Sequence, residues 1–252
     1  MNMADIRQRA LRPGSPRQRE IVTSTLARRI LSGEFAPGSR LPTEAELGLE
    51  MDVSRTALRE SVRMLAGKGL IESRPRIGTV VLPQEQWNHL DSDILAWRES
   101  LPPDVGFIRS LTEARQVIEP AAAEMAARRA DGTDLGRIQA AYDRMCASVD
   151  GDLEEKVDAD EAFHVAILIA SKNDIFANFG TVTGSALRMS FRMTTRASEN
   201  FSATLEKHGA VLEAIRMRQA DQSRKLMSDL INVAARDLAR AQTSDAETLT
   251  NC

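Results

Sequence analysis

The chain has 252 residues, 42% hydrophobic and 27% charged, enough to build one large domain or two modest ones without disulfide or metal staples. VAILIA at 165–170 is too short an apolar run to cross a bilayer, MNMADIRQRALRPG has basic residues with no apolar stretch behind them, and Cys146 and Cys252 have neither disulfide nor metal spacing, which together predict a cytoplasmic protein without membrane association. The net charge of −3 conceals an asymmetry: residues 1–82 hold 14 Lys and Arg against 9 Asp and Glu (+5), the other 170 residues 19 against 27 (−8), so the first part suits a polyanion.

In chain order, EIVTSTLARRILSG places Val22, Leu26 and Ile30 on one helical stripe and stops at Gly33, before the turn residues of APGSR. PTEAELGLEM opens a second helix, with Thr43 as N-cap and Glu46 as its capping-box partner. The third helix starts at Ser54: in SRTALRESVRMLAGKG, Leu58, Val62 and Leu65 face inward, Arg55, Arg59 and Arg63 recur on another face, and Gly67 and Gly69 end it. Two β-type runs follow, LIES and GTVVL, joined by RPRI. An arginine row alone describes any solvated helix face. Here it coincides with a short preceding turn, with Ser54 and Thr56 in the first turns, and with a second arginine pair, Arg74 and Arg76, on the hairpin. The combination predicts a winged helix-turn-helix over residues 1–82, whose third helix carries Arg to base edges in the major groove while the wing holds backbone or minor groove.

SGEFAPGSRLPTEAELGLEMDVSRTALRESVRMLAGKGLIESRPRIGTVV is similar to the DNA-binding domain of GntR-type bacterial transcription regulators. Carried over position by position, the resemblance makes Ser54, Arg55, Thr56, Arg59 and Gly78 DNA-contacting; Arg63, Arg74 and Arg76 join them from the charge pattern. Ala45 stands where some relatives have arginine, so no contact is carried to the second helix.

After Pro83, QEQWNHLDSDILAWRESLPP puts Trp87, Leu90, Ile94 and Trp97 at helical spacing, predicting an amphipathic connector helix over 83–102 with tryptophans as packing anchors. Residues 103–242 read as an all-α domain, with helices near 104–130, 134–149, 152–171, 173–197, 202–219 and 221–241, followed by a frayed polar tail at 243–252. Within it, Asp160 and His164 lie one turn apart on a face shared with Val157, Ile167 and Leu168, and His208 shares a stripe with Leu212 and Ile215. Two readings of these polar residues stand: a buried ion pair with a satisfied core histidine, or two imidazoles and a carboxylate gathered as ligands of a divalent transition metal.

LTEARQVIEPAAAEMAARRA, DADEAFHVAI and LEKHGAVLEAI resemble the effector domain of the FadR branch of the same family, and QWNHLDSDILAW narrows the resemblance to its repressors of galactonate and related sugar-acid operons. The resemblance implies an antiparallel helical bundle holding a divalent metal ion, zinc ahead of nickel or manganese, on Asp160, His164 and His208, with Leu230 where many relatives have a fourth ligand, a histidine. A hydroxy or sugar acid would fill the open metal positions; Arg115 would bind its carboxylate as a planar bidentate donor, with Ser185 and Arg188 on the opposite wall. The expectation is a mainly α, homodimeric regulator, a repressor that binds double-stranded operator DNA and releases it when the effector binds; one recognition helix reads too few base pairs to act alone. The alternatives are a regulator of the same family with a non-metal effector such as an acyl cofactor, and a two-His, one-carboxylate metalloenzyme, against which the absence of strand alternation argues.

Overall fold

Helix α1 (Pro16–Leu31) begins with a proline in its first turn, where a missing N–H breaks no helical bond, and buries Val22, Leu26 and Ile30. The computed structural model describes residues 16–193 and 201–250, with side chains within 17–190 and 204–240. α2 (Glu44–Glu50) has the expected capping box: the Thr43 hydroxyl accepts from the Glu46 N–H, and the Glu46 carboxylate accepts the Thr43 N–H at 2.7 Å. A tight turn with Asp52 at φ 51° leads to α3 (Arg55–Gly67), which buries Leu58, Val62 and Leu65 against α1 and α2. β1 (Ile71–Arg74) and β2 (Gly78–Val81) pair antiparallel, with Ile71 opposite Val81, and Arg40 bridges Val80 from the outer side. Ile71 and Val81 close the same apolar core as Leu26, Leu47, Leu58 and Leu65.

The next segment departs from the expected connector helix. A 3-10 turn (Gln84–Gln86) leads to Trp87 in extended backbone, and α4 (Ser92–Glu99) starts only after Asp91, whose carboxylate accepts the N–H groups of Asp93 and Ile94. Trp87 and Ile94 belong to the winged-helix core, but Leu90 is 57% exposed: a strong N-cap inside the stripe delays the helix and breaks the helical register. Lys68, at the end of α3, holds this segment through Asp91 at 2.7 Å and Asp93 at 2.8 Å, so the segment packs as part of the first of two compact units, 1–102 and 103–252.

The second unit consists, among the described residues, of α5 (Val105–Arg129), α6 (Gly132–Ala147), α7 (Leu153–Ala170), α8 (Asp174–Asn178), α9 (Gly180–Met193), α10 (Phe201–Arg216) and α11 (Ala220–Thr250). The single helix expected over 173–197 is two, because Asn173 caps α8 and the chain turns at Phe179; positions 194–197 lie outside the described residues. The tail expected at 243–250 instead continues α11, since neither Gly nor Pro interrupts the stretch; Cys252 and the basic segment 1–15 are outside the described residues. α7 is the central helix, packed on α5, α6 and α9 and buried on almost every side from Val157 to Ala170. Ala123, Ala126 and Ala127 of α5, with Ala130 at its C-cap, supply a small-residue face to the same core. No described helix is long and apolar enough to cross a membrane.

Candidate DNA interface and candidate metal centre

On the winged helix the expected contact residues share exposure. Arg55, Thr56, Arg59 and Arg63 project from α3, and Arg74, Arg76 and Gly78 from the wing. Ser54 is half-buried and uses its hydroxyl to accept the Ala57 N–H as the helix cap. Arg59 approaches Glu44 only to 4.0 Å, Arg63 meets Glu60 at 3.2 Å and Arg74 meets Glu72 at 2.7 Å, all solvent-exposed pairs of little energy. Among the described residues no carboxylate pairs with Arg55 or Arg76. These cations are therefore available to phosphate and base edges. Sequence reasoning missed Arg40: the bridge to Val80 brings it onto the wing, where a Cβ at Gly78 (φ 102°) would come within 3.3 Å of its guanidinium. Its charge was visible in the sequence, but its partner across the wing was not.

In the bundle, four helices bring charged and polar groups together below the surface. Asp160 and His164 come from α7, His208 from α10, Arg115 and Glu119 from α5, and Thr183 from α9; all six are buried. Asp160, His164 and His208 can each aim one ligand atom within 4.8 Å of the others. The closest pair is not the expected one within α7: His208 Nε2 is 3.0 Å from Asp160 Oδ1, whereas His164 Nε2 is 3.8 Å away. Phe163 walls the cluster, edge-on to His208 and His164 with ring centroids 5.0 and 5.8 Å apart.

The ring nitrogens state what the cluster lacks. His208 Nδ1 lies 2.8 Å from the Thr204 carbonyl, which can only accept, so Nδ1 carries the proton. A neutral ring then turns its Nε2 lone pair onto the Asp160 carboxylate, acceptor against acceptor, and Nε2 makes no hydrogen bond there despite the short distance. His164 Nδ1 lies 2.6 Å from Glu119 Oε2, which again leaves Nε2 facing Asp160. Glu119 also accepts from Arg115 Nε at 2.6 Å and from Thr183 Oγ1 at 3.0 Å. Burial opposes ionisation of Glu119, but Arg115 and His164 outweigh it and hold the carboxyl well below the ordinary range. A cation between Asp160 and the two Nε2 atoms would resolve the opposition, and a carboxylate behind His164 is the usual outer partner of a metal-bound imidazole. The residues present fit a divalent metal.

Arg115, expected as an effector ligand, is 2% exposed and engaged with Glu119; among the described residues its Nη1 has no acceptor. Ser185 is buried on α9, and half-buried Arg188 pairs with Glu161. Leu230 packs in the apolar core, so α11 adds no ligand among the described residues. Glu119 and Thr183 were not anticipated. Glu119 lies one turn after Arg115, but nothing in the sequence indicates that this turn faces His164.

A winged helix joined to a helical bundle with a buried polar centre is the architecture of a ligand-sensing bacterial transcription regulator. The comparisons place it within that class: residues 18–81 match the "Bacterial regulatory proteins, gntR family" and residues 110–233 the FCD domain. The chain is 36% identical to the galactonate operon transcriptional repressor of Escherichia coli (strain K12) over 218 residues, covering 86% of this chain and 95% of that one. It is 32% identical to the putative L-lactate dehydrogenase operon regulatory protein of the same organism, over 75% of this chain and 74% of that one. Among solved structures, Lar of Listeria monocytogenes shares the fold at 20% identity and TM-score 0.65, covering 88% of this chain and 96% of that one. The chain belongs to the GntR family, with an FCD carboxy-terminal domain. The families and relatives it matches are transcription regulators, not enzymes.

Proposed function

We propose that the protein is a cytoplasmic, homodimeric repressor of a sugar-acid catabolic operon, which releases its operator when a hydroxy or sugar acid binds in the bundle together with a divalent metal, zinc ahead of nickel or manganese. The observation that carries the reading is the buried approach of His208 Nε2 to Asp160 Oδ1 at 3.0 Å without a hydrogen bond between them, an arrangement that a cation bound by both atoms would satisfy. The 36% identity to a galactonate operon repressor supports the effector class. Asp160, His164 and His208 would hold the ion, which supplies a Lewis-acidic centre for a carboxylate and its adjacent hydroxyl. Arg115 would bind and orient the same carboxylate, with Ser185 and Arg188 contributing from α9. Ser54, Arg55, Thr56, Arg59, Arg63, Arg74, Arg76 and Gly78 would contact double-stranded operator DNA, and pairing of two winged helices would give a near-palindromic site. Release requires that the effector bind the DNA-incompetent arrangement more tightly, since equal affinity for both would shift nothing.

The test uses the purified full chain. Elemental analysis is expected to find a divalent metal, a thermal-shift screen to find stabilisation by a galactonate-like acid that chelator abolishes, and light scattering to read about twice 27.7 kDa. His164→Ala should lose metal and no longer release operator on addition of the acid. Protein that holds no metal, gains none on dialysis against zinc, nickel or manganese, and still releases DNA in chelator would return Asp160 and His208 to an ordinary ion pair.

A further inference from the structure

We propose that Glu119 is the positioning residue that joins the effector's receptor to the metal's ligand: one buried carboxylate sets the tautomer of His164 and the orientation of Arg115. The inference rests on the metal and effector reading above, but it concerns a residue outside the ligand set. Glu119 is 1% exposed and draws groups from three helices: Arg115 Nε on its own helix donates to Oε1 at 2.6 Å, Thr183 Oγ1 of α9 donates to Oε1 at 3.0 Å, and His164 Nδ1 of α7 stands 2.6 Å from Oε2, in close contact but outside hydrogen-bond alignment. Arg115 Nη2 reaches Oε2 as well, at 3.4 Å.

Hydrogen-bond polarity does the selecting. An ionised carboxylate only accepts, so a carboxylate 2.6 Å from Nδ1 favours the neutral His164 ring with its proton on that side and its lone pair on Nε2, toward Asp160 and His208. The same carboxylate takes up the Nε side of the Arg115 guanidinium and leaves Nη1, which has no acceptor among the described residues, as the side open to an effector's carboxylate. Thr183 fixes Oε1 from the far wall, so the carboxylate cannot turn to favour one partner over the other. Outer partners of this kind orient metal-bound imidazoles and strengthen them as ligands.

Glu119→Gln separates this role from packing, because the amide keeps the volume and changes the polarity. Arg115 and Thr183 both donate to Oε1, so the amide oxygen must go there. The amide NH2 then faces His164 Nδ1, which must become the acceptor, and the ring proton moves to Nε2, the atom a metal needs bare. The experiment measures zinc affinity of the full chain by competition with a chromophoric chelator and, on metal-free protein, the His164 tautomer by long-range 15N–1H NMR. The expected result is a wild-type ring protonated at Nδ1, a Glu119→Gln ring protonated at Nε2, and zinc binding weakened about 10- to 100-fold in the variant. Thr183→Val should weaken zinc binding less, and Thr183→Ser should restore it; this pair carries the test if Glu119→Gln does not fold. Equal zinc affinity in wild type, Glu119→Gln and Thr183→Val, or an Nε2-protonated His164 in wild type, overturns the proposal. Wild-type protein that binds no zinc would sink the metal reading instead, while the metal-free tautomer still decides what Glu119 does.

Discussion

The winged helix and the bundle treat charge in opposite ways. On the winged helix the arginines of α3 and the wing lie in solvent, paired with exposed carboxylates or, among the described residues, with none; Arg59 is 4.0 Å from its nearest carboxylate and Arg74 is 2.7 Å from Glu72. In the bundle Arg115, Glu119, Asp160, His164 and His208 are all buried and crowd against one another, down to 2.6 Å for the ion pair of Arg115 with Glu119. The contrast follows from solvation. An exposed cation pays nothing to stay unpaired and can be given to a polyanion, whereas a buried charge must be compensated and so becomes part of a fixed network. Damage to the first region should therefore appear as lost affinity, and damage to the second as lost stability and lost response.

The largest effect should come from breaking that network. Glu119→Ala leaves the Arg115 charge buried without its partner and should cost about 3–5 kcal/mol, read by urea unfolding followed by far-UV circular dichroism. Both tryptophans of the chain, Trp87 and Trp97, lie in the first unit, so the fluorescence transition should stay in place while the dichroism transition shifts. The double variant Arg115→Met with Glu119→Leu should recover most of the loss, because it removes both charges together. A Glu119→Ala protein as stable as wild type would mean that the network bears no energy.

Next in size, Arg55→Ala and Arg59→Ala should each weaken operator binding by about 1–3 kcal/mol in a gel-shift titration. Stability should move by no more than about 0.5 kcal/mol, as expected of exposed positions. Full operator affinity in both variants would remove α3 as the reading helix. A large loss of stability would blur the contrast between the two regions.

Within the first unit, Thr43→Ala removes the hydroxyl that caps α2 and should cost about 1 kcal/mol, detected in the tryptophan fluorescence transition. Last comes Lys68→Met. Its side chain is 16% exposed and touches Asp91 and Asp93; burial works against its charge, and the two carboxylates raise its pKa all the same. Such a rim contact should be worth under about 1 kcal/mol by the same fluorescence measurement. A loss as large as that of Glu119→Ala would show that burial is not what separates the two regions.

Local rules made much of this protein legible in advance. The capping box at Thr43 and Glu46, the inward stripe of Leu58, Val62 and Leu65, the arginine row and the hairpin all arise from contacts within a few residues, which the chain encodes by spacing and side-chain type. Asp160 and His164 could be singled out for the same reason, as polar groups one turn apart on an apolar face. The same rules erred where another local signal intervened: Asp91 capped a helix inside the tryptophan stripe, and the chain turned at Phe179. What only the tertiary structure decided is which buried charge meets which. His208 rather than His164 lies nearest Asp160, Glu119 stands behind His164, and Thr183 reaches Glu119 from another helix. Helical periodicity sets the face on which a side chain emerges, but the residue opposite is chosen by how α5, α7, α9 and α10 pack, and that is a property of the whole core rather than of any segment of it.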